Sequence, residues 1–262
     1  MVWTSRLEEA IAFVESRGYT CAYAALYGSQ NYGLELDTPD YRSDVDIKCA
    51  VLPDLSALAR EEAVAPETLE WQGGQIEIKD VRRFAEVAAK QNPAYLETLL
   101  TPHYIAPCAE FEQIRALAGE LLACDPAGFM QACRGAAMVK KKNLCHPFPA
   151  AMEKIRRYGY DGKQAHHMYR MLLVMRAFAL TGRYELHAPQ EAYESLIALK
   201  RNEVPLAQAL EMTEAWAQEM DAICSSIPRG RSTKAIAGQM RELACQAIEA
   251  HIAGRMGTVR VK

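Results

Sequence analysis

Apolar residues at Leu7, Ala10, Ile11 and Val14 recur at helical spacing behind a Ser5…Glu8 capping pair, and Gly18 stops the run. From Tyr19 to Tyr27 the chain turns to aromatic and small apolar residues and closes on Gly28-Ser29, which predicts a buried strand entering a tight turn. Gln30 to Ser43 is polar and carries Gly33 and Pro39, the pattern of a short helical turn followed by a loop. Asp44 to Val51 alternates, with Val45, Ile47 and Cys49 on one face, and reads as a second strand. Pro53-Asp54 opens a short helix, Gly73-Gly74 makes a turn, and Gln75 to Lys79 forms a third strand. Asp80 then caps a helix reaching about Gln91. Beyond Pro93 every periodic segment is helical, with starts at Asp125-Pro126, Asp161-Gly162, Pro205 and Ser232. Met168, Met171, Leu172, Met175 and Phe178 make the core stripe of one of these helices.

Strands confined to one end of the chain predict an α+β fold, with a small α/β domain followed by an all-helical one. The boundary is expected near residue 107, giving domains 1–107 and 108–262. The chain has 262 residues, half of them apolar and about a quarter charged, enough to bury a core without disulfides or structural metal. A net charge of −3 excludes a polycation that coats nucleic acid, while leaving room for a local basic cleft.

The eight cysteines contain no Cys-x-x-Cys pair, and Cys124, Cys133 and Cys145-His146 match no recurring zinc spacing. They are expected to be buried reduced thiols in a reducing compartment. The first residues lack the pattern of a signal peptide, and no run reaches the roughly 18 apolar residues of a membrane span. The stretch Met171 to Leu180 is interrupted by Arg176. A soluble, cytoplasmic protein with no membrane partner is the expectation.

Side chains two apart on a strand share a face, so Asp44 and Asp46 are expected to project together, about 6.6–7 Å apart along the backbone. Glu77 alternates in the same way between Ile76 and Ile78. If the two strands are neighbours, three carboxylates converge, and their mutual repulsion calls for cations. Hard divalent ions such as Mg²⁺ take these ligands and bridge phosphate oxygens as well. Upstream, the backbone amides of Gly28 and Ser29 and the Ser29 hydroxyl can hold the oxygens of a triphosphate. A Gly-Ser turn or an Asp-x-Asp strand alone is usually only a turn or a solvated face. Their joint order along the chain is far more specific.

The stretch Tyr27-Gly28-Ser29-Gln30-Asn31-Tyr32-Gly33-Leu34, then Ser43-Asp44-Val45-Asp46-Ile47-Lys48, resembles the DNA polymerase beta-like nucleotidyltransferase superfamily. More narrowly it is similar to predicted bacterial and phage nucleotidyltransferases with a Gly-Ser-x-x-Tyr-Gly-Leu signature. The resemblance continues through Ile76 to Phe84, Gln91-Asn92-Pro93, His146 to Pro149 and Lys154-Ile155. It extends on through Gly159-Tyr160-Asp161, Lys163 to His167, and Arg170. It implies transfer of a nucleoside monophosphate from an NTP such as ATP, dependent on Mg²⁺ or Mn²⁺, with Asp44 and Asp46 as metal ligands. The third carboxylate would be Glu77, also the candidate general base, where the superfamily more often has Asp. Asp80 is its rival, although a helix cap already gives it a structural task. In this reading domain 1–107 is catalytic and domain 108–262 closes the nucleotide cleft.

Lys79 shares a face with Glu77 and either neutralises the acidic patch or touches phosphate. Lys140, Lys141 and Lys142 suit the last turn of a helix, where the dipole favours cations, and the resemblance singles out Lys140. Lys163, His167 and Arg170 share a helical face, with Lys154 nearby, and would offset triphosphate charge. The acceptor is left open among a nucleic acid end, a small molecule and a protein side chain. The alternative to an enzyme is a non-catalytic nucleotide-binding or interaction module that retains the fold.

Overall fold

The computed structural model describes residues 2–38 and 41–258. It opens with α1 (Val2–Ser16), β1 (Thr20–Tyr27) and the single turn α2 (Ser29–Tyr32). The two-residue strands β2 (Asp37–Thr38) and β3 (Tyr41–Arg42) pair with each other, and Pro39 of the expected loop lies outside the described residues. Next come β4 (Asp46–Leu52), α3 (Leu55–Ala59), β5 (Glu67–Trp71), β6 (Gly74–Asp80), α4 (Val81–Ala89) and α5 (Pro93–Leu100). The short β7 (Tyr104–Ile105) and α6 (Ala109–Cys124) follow. A helical stretch then runs through α7 (Pro126–Asn143), α8 (Met152–Tyr158), α9 (Gly162–Thr181), α10 (Tyr193–Lys200) and α11 (Leu206–Ser226), and α12 (Lys234–Thr258) ends it.

The expected α+β class is what the structure has. Five strands form a mixed sheet in the order β5-β6-β4-β1-β7, with β4 and β6 parallel and the other neighbours antiparallel. Leu7, Ala10 and Val14 of α1 pack on Ile47, Cys49, Val51, Ile76 and Ile78, the inward set of the alternating strands. Tyr23, by contrast, packs among Phe84 of α4, Tyr104 and Phe111 of α6, its ring centroid 4.6 Å from that of Phe111. β5 has no counterpart in the sequence pattern because it is an edge strand whose residues are mostly exposed, so it lacks the alternation of a half-buried one. Helix α1 begins at Val2, upstream of the expected Ser5 cap, and Trp3 lies against His103 with ring centroids 6.1 Å apart.

Two compact units emerge. The sheet unit holds Met1–Asn31, Glu35–Cys124 and Ser232–Lys262, and the helical unit holds Tyr32–Leu34 and Asp125–Arg231. The boundary expected at residue 107 therefore falls inside the sheet unit. α6 and α12 pack against each other, and α12 also lies on α4, so the end of the chain returns to the sheet unit. Met240, Ala244 and Ala247 form the buried stripe of α12. In the helical unit α9 packs against α7, α10 and α11, burying the expected stripe from Met168 to Phe178. Asp125 and Asp161 cap α7 and α9 by accepting the N–H groups of Gly128 and Lys163.

No described helix is long and apolar enough to cross a membrane. The cysteines are free thiols, with Cys21, Cys49 and Cys133 buried, Cys145 exposed and the other four half-buried.

Candidate active site

β1 ends at Tyr27 directly opposite Asp46, the first residue of β4, and this register brings the Gly28-Ser29 turn beside that aspartate. Gly28 has φ +97°, a left-handed conformation that favours glycine, and a Cβ built there would lie 3.5 Å from Asp46 Oδ2. The turn is held by Glu97 of α5, which is wholly buried. Its Oε1 accepts the Gly28 N–H at 2.8 Å and the Asn31 amide at 3.1 Å, and Asn31 also donates to the Leu26 carbonyl. Such donors make a buried carboxylate tolerable. Because Glu97 takes the Gly28 N–H, that group is not offered to a phosphate as expected. The Ser29 hydroxyl lies 3.4 Å from Gln30 Oε1. Sequence pattern does not single out Glu97; its one signal is an acid within a helix buried from Pro93 to Leu99 apart from Ala94.

Asp46 is half-buried at the head of β4, while Asp44 is exposed and precedes the strand. The shared strand face expected for the two is thus corrected, since the β4 ladder begins only at Asp46. The Asp44 carbonyl accepts from Gln30 Nε2 at 2.5 Å. β6 is the parallel neighbour of β4, as the convergence argument required, and pairs Asp46 with Gln75 and Lys48 with Glu77. Glu77 therefore sits on the same sheet face as Asp46, two pairs further along the ladder.

Its carboxylate is already engaged. Oε2 meets the Lys48 ammonium, Oε1 accepts the Tyr95 hydroxyl at 2.7 Å, and Lys79 Nζ stands 4.0 Å away. Among the described residues no three His, Cys, Asp or Glu side chains are grouped to hold a metal ion. The expected three-acid cluster is therefore corrected: no three acids are grouped among the described residues, and Glu77 is engaged and neutralised by Lys48. Burial would raise the Glu77 carboxyl, but the charge and hydrogen bond of Lys48, with Tyr95 and Lys79, hold it below the usual range. A carboxylate so stabilised is a weak general base. Of the two roles open to Lys79, the geometry provides the first, partial neutralisation of Glu77.

Lys48 closes the Asp-x-Asp stretch, and its role emerges only in the folded chain. Its side chain is 5% exposed, with Nζ 4.3 Å from the Tyr27 ring centroid and 5.1 Å from that of Tyr95. Asp80 has the opposite parity on β6, is fully buried, and accepts from Val64 N–H and from the backbone and guanidinium of Arg82. It caps α4, as expected, and is no rival to Glu77. Asp44 and Asp46 suit a hard divalent cation, because Mg²⁺ is usually bound by one or two carboxylates with waters and substrate phosphates completing the shell.

The helical unit carries the other expected residues. Lys154 Nζ lies 3.2 Å from the Asp161 carboxylate, which also caps α9. Lys163 is exposed at the start of α9, and Lys140 is half-buried. Burial lowers the Lys140 ammonium, and the positive charges of Lys163 and Arg170 lower it further against Asp161. Lys141 instead pairs with Glu214 at 2.6 Å. Burial pushes His167 well down, helped by the neighbouring His166, Arg170, Lys140 and Lys163, so at neutral pH it offers a hydrogen bond rather than a charge. His166 is pushed down to about 4, chiefly by burial, and its Nδ1 lies 2.9 Å from the Leu196 carbonyl. Arg170 is buried, with its guanidinium carbon 3.7 Å from the centroid of the Tyr32 ring. The second half of the Gly-Ser-x-x-Tyr-Gly-Leu stretch belongs to this unit. There the Tyr32 carbonyl accepts the Ala188 N–H, and the Leu34 carbonyl accepts from Lys200 Nζ at 3.3 Å.

No curated protein matches the chain. A family of proteins does, the RlaP family, described as the RNA repair pathway DNA polymerase beta family, over residues 4–222. That span contains the Gly28-Ser29 turn, both aspartates, and Lys140, Lys154, Lys163, His167 and Arg170 of the helical unit. The chain belongs to this family of DNA polymerase beta-like nucleotidyltransferases.

Proposed function

We propose that the protein transfers a nucleoside monophosphate from an NTP to a terminal hydroxyl of RNA, with Mg²⁺ or Mn²⁺ bound by Asp44 and Asp46. The observation that carries this reading is the Gly28-Ser29 turn held against Asp46 by β1–β4 pairing and by the buried Glu97. RNA is our choice among the possible acceptors, supported by the family's description, which refers to RNA repair. A bound divalent ion would neutralise phosphate charge and favour the ionised form of the attacking hydroxyl. The Ser29 hydroxyl would donate to a phosphate oxygen. Lys140, Lys154, Lys163, His167 and Arg170 form a cation-rich group suited to a phosphate chain, His167 contributing a neutral donor. The acceptor oxygen bonds to the α-phosphorus, the bond to the bridging oxygen breaks, pyrophosphate leaves, and the hydroxyl proton passes to solvent.

The engagement of Glu77 by Lys48 favours a second reading, a nucleotide-binding module without transfer activity. Incubation with each α-labelled NTP, Mn²⁺ and a short RNA decides between them. Label on the RNA with release of pyrophosphate is expected. Binding of the NTP without pyrophosphate would establish the second reading, and label on another acceptor would replace RNA.

A further inference from the structure

Lys48 is the most unusual charge in the sheet unit. It sits between Ile47 and Cys49 on a central strand, on the face of Asp46, with its ammonium enclosed by the Tyr27 and Tyr95 rings and by Glu77. Removing an ammonium from water is costly unless an anion and hydrogen bonds replace the solvent, and Glu77 and the two ring faces do so here. Both oxygens of Glu77 are in turn engaged, one by Lys48 and one by the Tyr95 hydroxyl. A metal ion ligated by Glu77 would have to displace a buried cation from its carboxylate partner and leave that cation desolvated.

We infer that the site works with one divalent cation, on Asp44 and Asp46, and that the Lys48 ammonium is a fixed cation at Glu77 where a third carboxylate would otherwise take part in metal binding. The inference deepens the proposed function and rests on it. Glu77 and Tyr95 are then positioning residues that keep Lys48 beside Asp46, and Glu77 is no ligand.

The test is to count bound Mn²⁺ by electron paramagnetic resonance, using the full chain with a non-hydrolysable NTP analogue. The unsubstituted protein should hold one ion. The double variant Lys48→Met, Glu77→Gln exchanges an ion pair for neutral groups of similar size, a change buried pairs often tolerate, and should also hold one, within about threefold in affinity. Asp46→Asn should hold none. Two ions on the unsubstituted protein, or loss of the ion from the double variant, would overturn the inference while leaving nucleotidyl transfer standing. No ion on the unsubstituted protein would overturn the proposed function and this inference with it. The count on the unsubstituted chain does not depend on any variant folding.

Discussion

Asp46 and His166 respond to different properties of their surroundings, and each leads to a measurement. Asp46→Asn preserves side-chain volume and removes the charge proposed to hold the metal. Nucleotide transfer should fall at least about 100-fold, close to 3 kcal/mol of barrier, while the thermal melt without metal stays within roughly 1 kcal/mol. Transfer at the original rate would place the site elsewhere. His166 is buried, neutral, and held at about 4. A histidine depressed in the fold favours folding above its unfolded value near 6.5, and that contribution is lost as pH falls towards the folded value. Its share amounts to about 3 kcal/mol over that interval, since every tenfold change in proton affinity is worth roughly 1.4 kcal/mol. Ring-proton NMR should therefore show His166 untitrated between pH 7 and pH 5, and His167 titrating below an ordinary histidine. His166→Asn, which keeps a donor for the Leu196 carbonyl, should flatten the loss of stability over the same range. A normal titration midpoint for both rings would contradict this account of their burial.

Among the elements, the β5–β6 turn sets the geometry beside the aspartates. A Cβ on Gly74 would fall 2.0 Å from the carbonyl oxygen of Val45, the residue between Asp44 and Asp46. That oxygen also accepts the Gln75 N–H at 3.3 Å. Gly74→Ala must push two backbones apart and should cost about 3 kcal/mol, at the upper end of overpacking effects. It should also weaken Mn²⁺ binding, because the segment bearing both aspartates moves with Val45. A denaturant melt and a metal titration read the two effects, and an unchanged midpoint would show that the strands are not so close. The glycine pair was legible in the sequence as a turn. The close approach was not, since it depends on which strand lies beside β6.

For the molecule as a whole, the course of the chain decides what can fold alone. A fragment of residues 1–107 lacks Phe111, Ile114 and Leu121 of α6, and Met240 and Ala244 of α12, all buried in the full chain. These losses uncover apolar surface around Tyr23 and Phe84 that the sheet cannot bury unaided. The fragment should show no cooperative thermal transition by circular dichroism. A sharp transition would restore the boundary at residue 107.

Local pattern alone determined the α+β class, the strands around Tyr27 and Ile47, the caps at Asp80, Asp125 and Asp161, and the Gly-Ser turn ahead of an Asp-x-Asp pair. Each depends on neighbours within a few residues, through periodicity, capping or turn chemistry. Tertiary structure alone decided that α12 returns to the sheet unit, that Glu97 rather than a phosphate takes the Gly28 N–H, and that Lys48 pairs with Glu77. These arise from side chains 29 to more than 100 positions apart, and an ion pair goes to whichever opposite charge the strand register brings nearest.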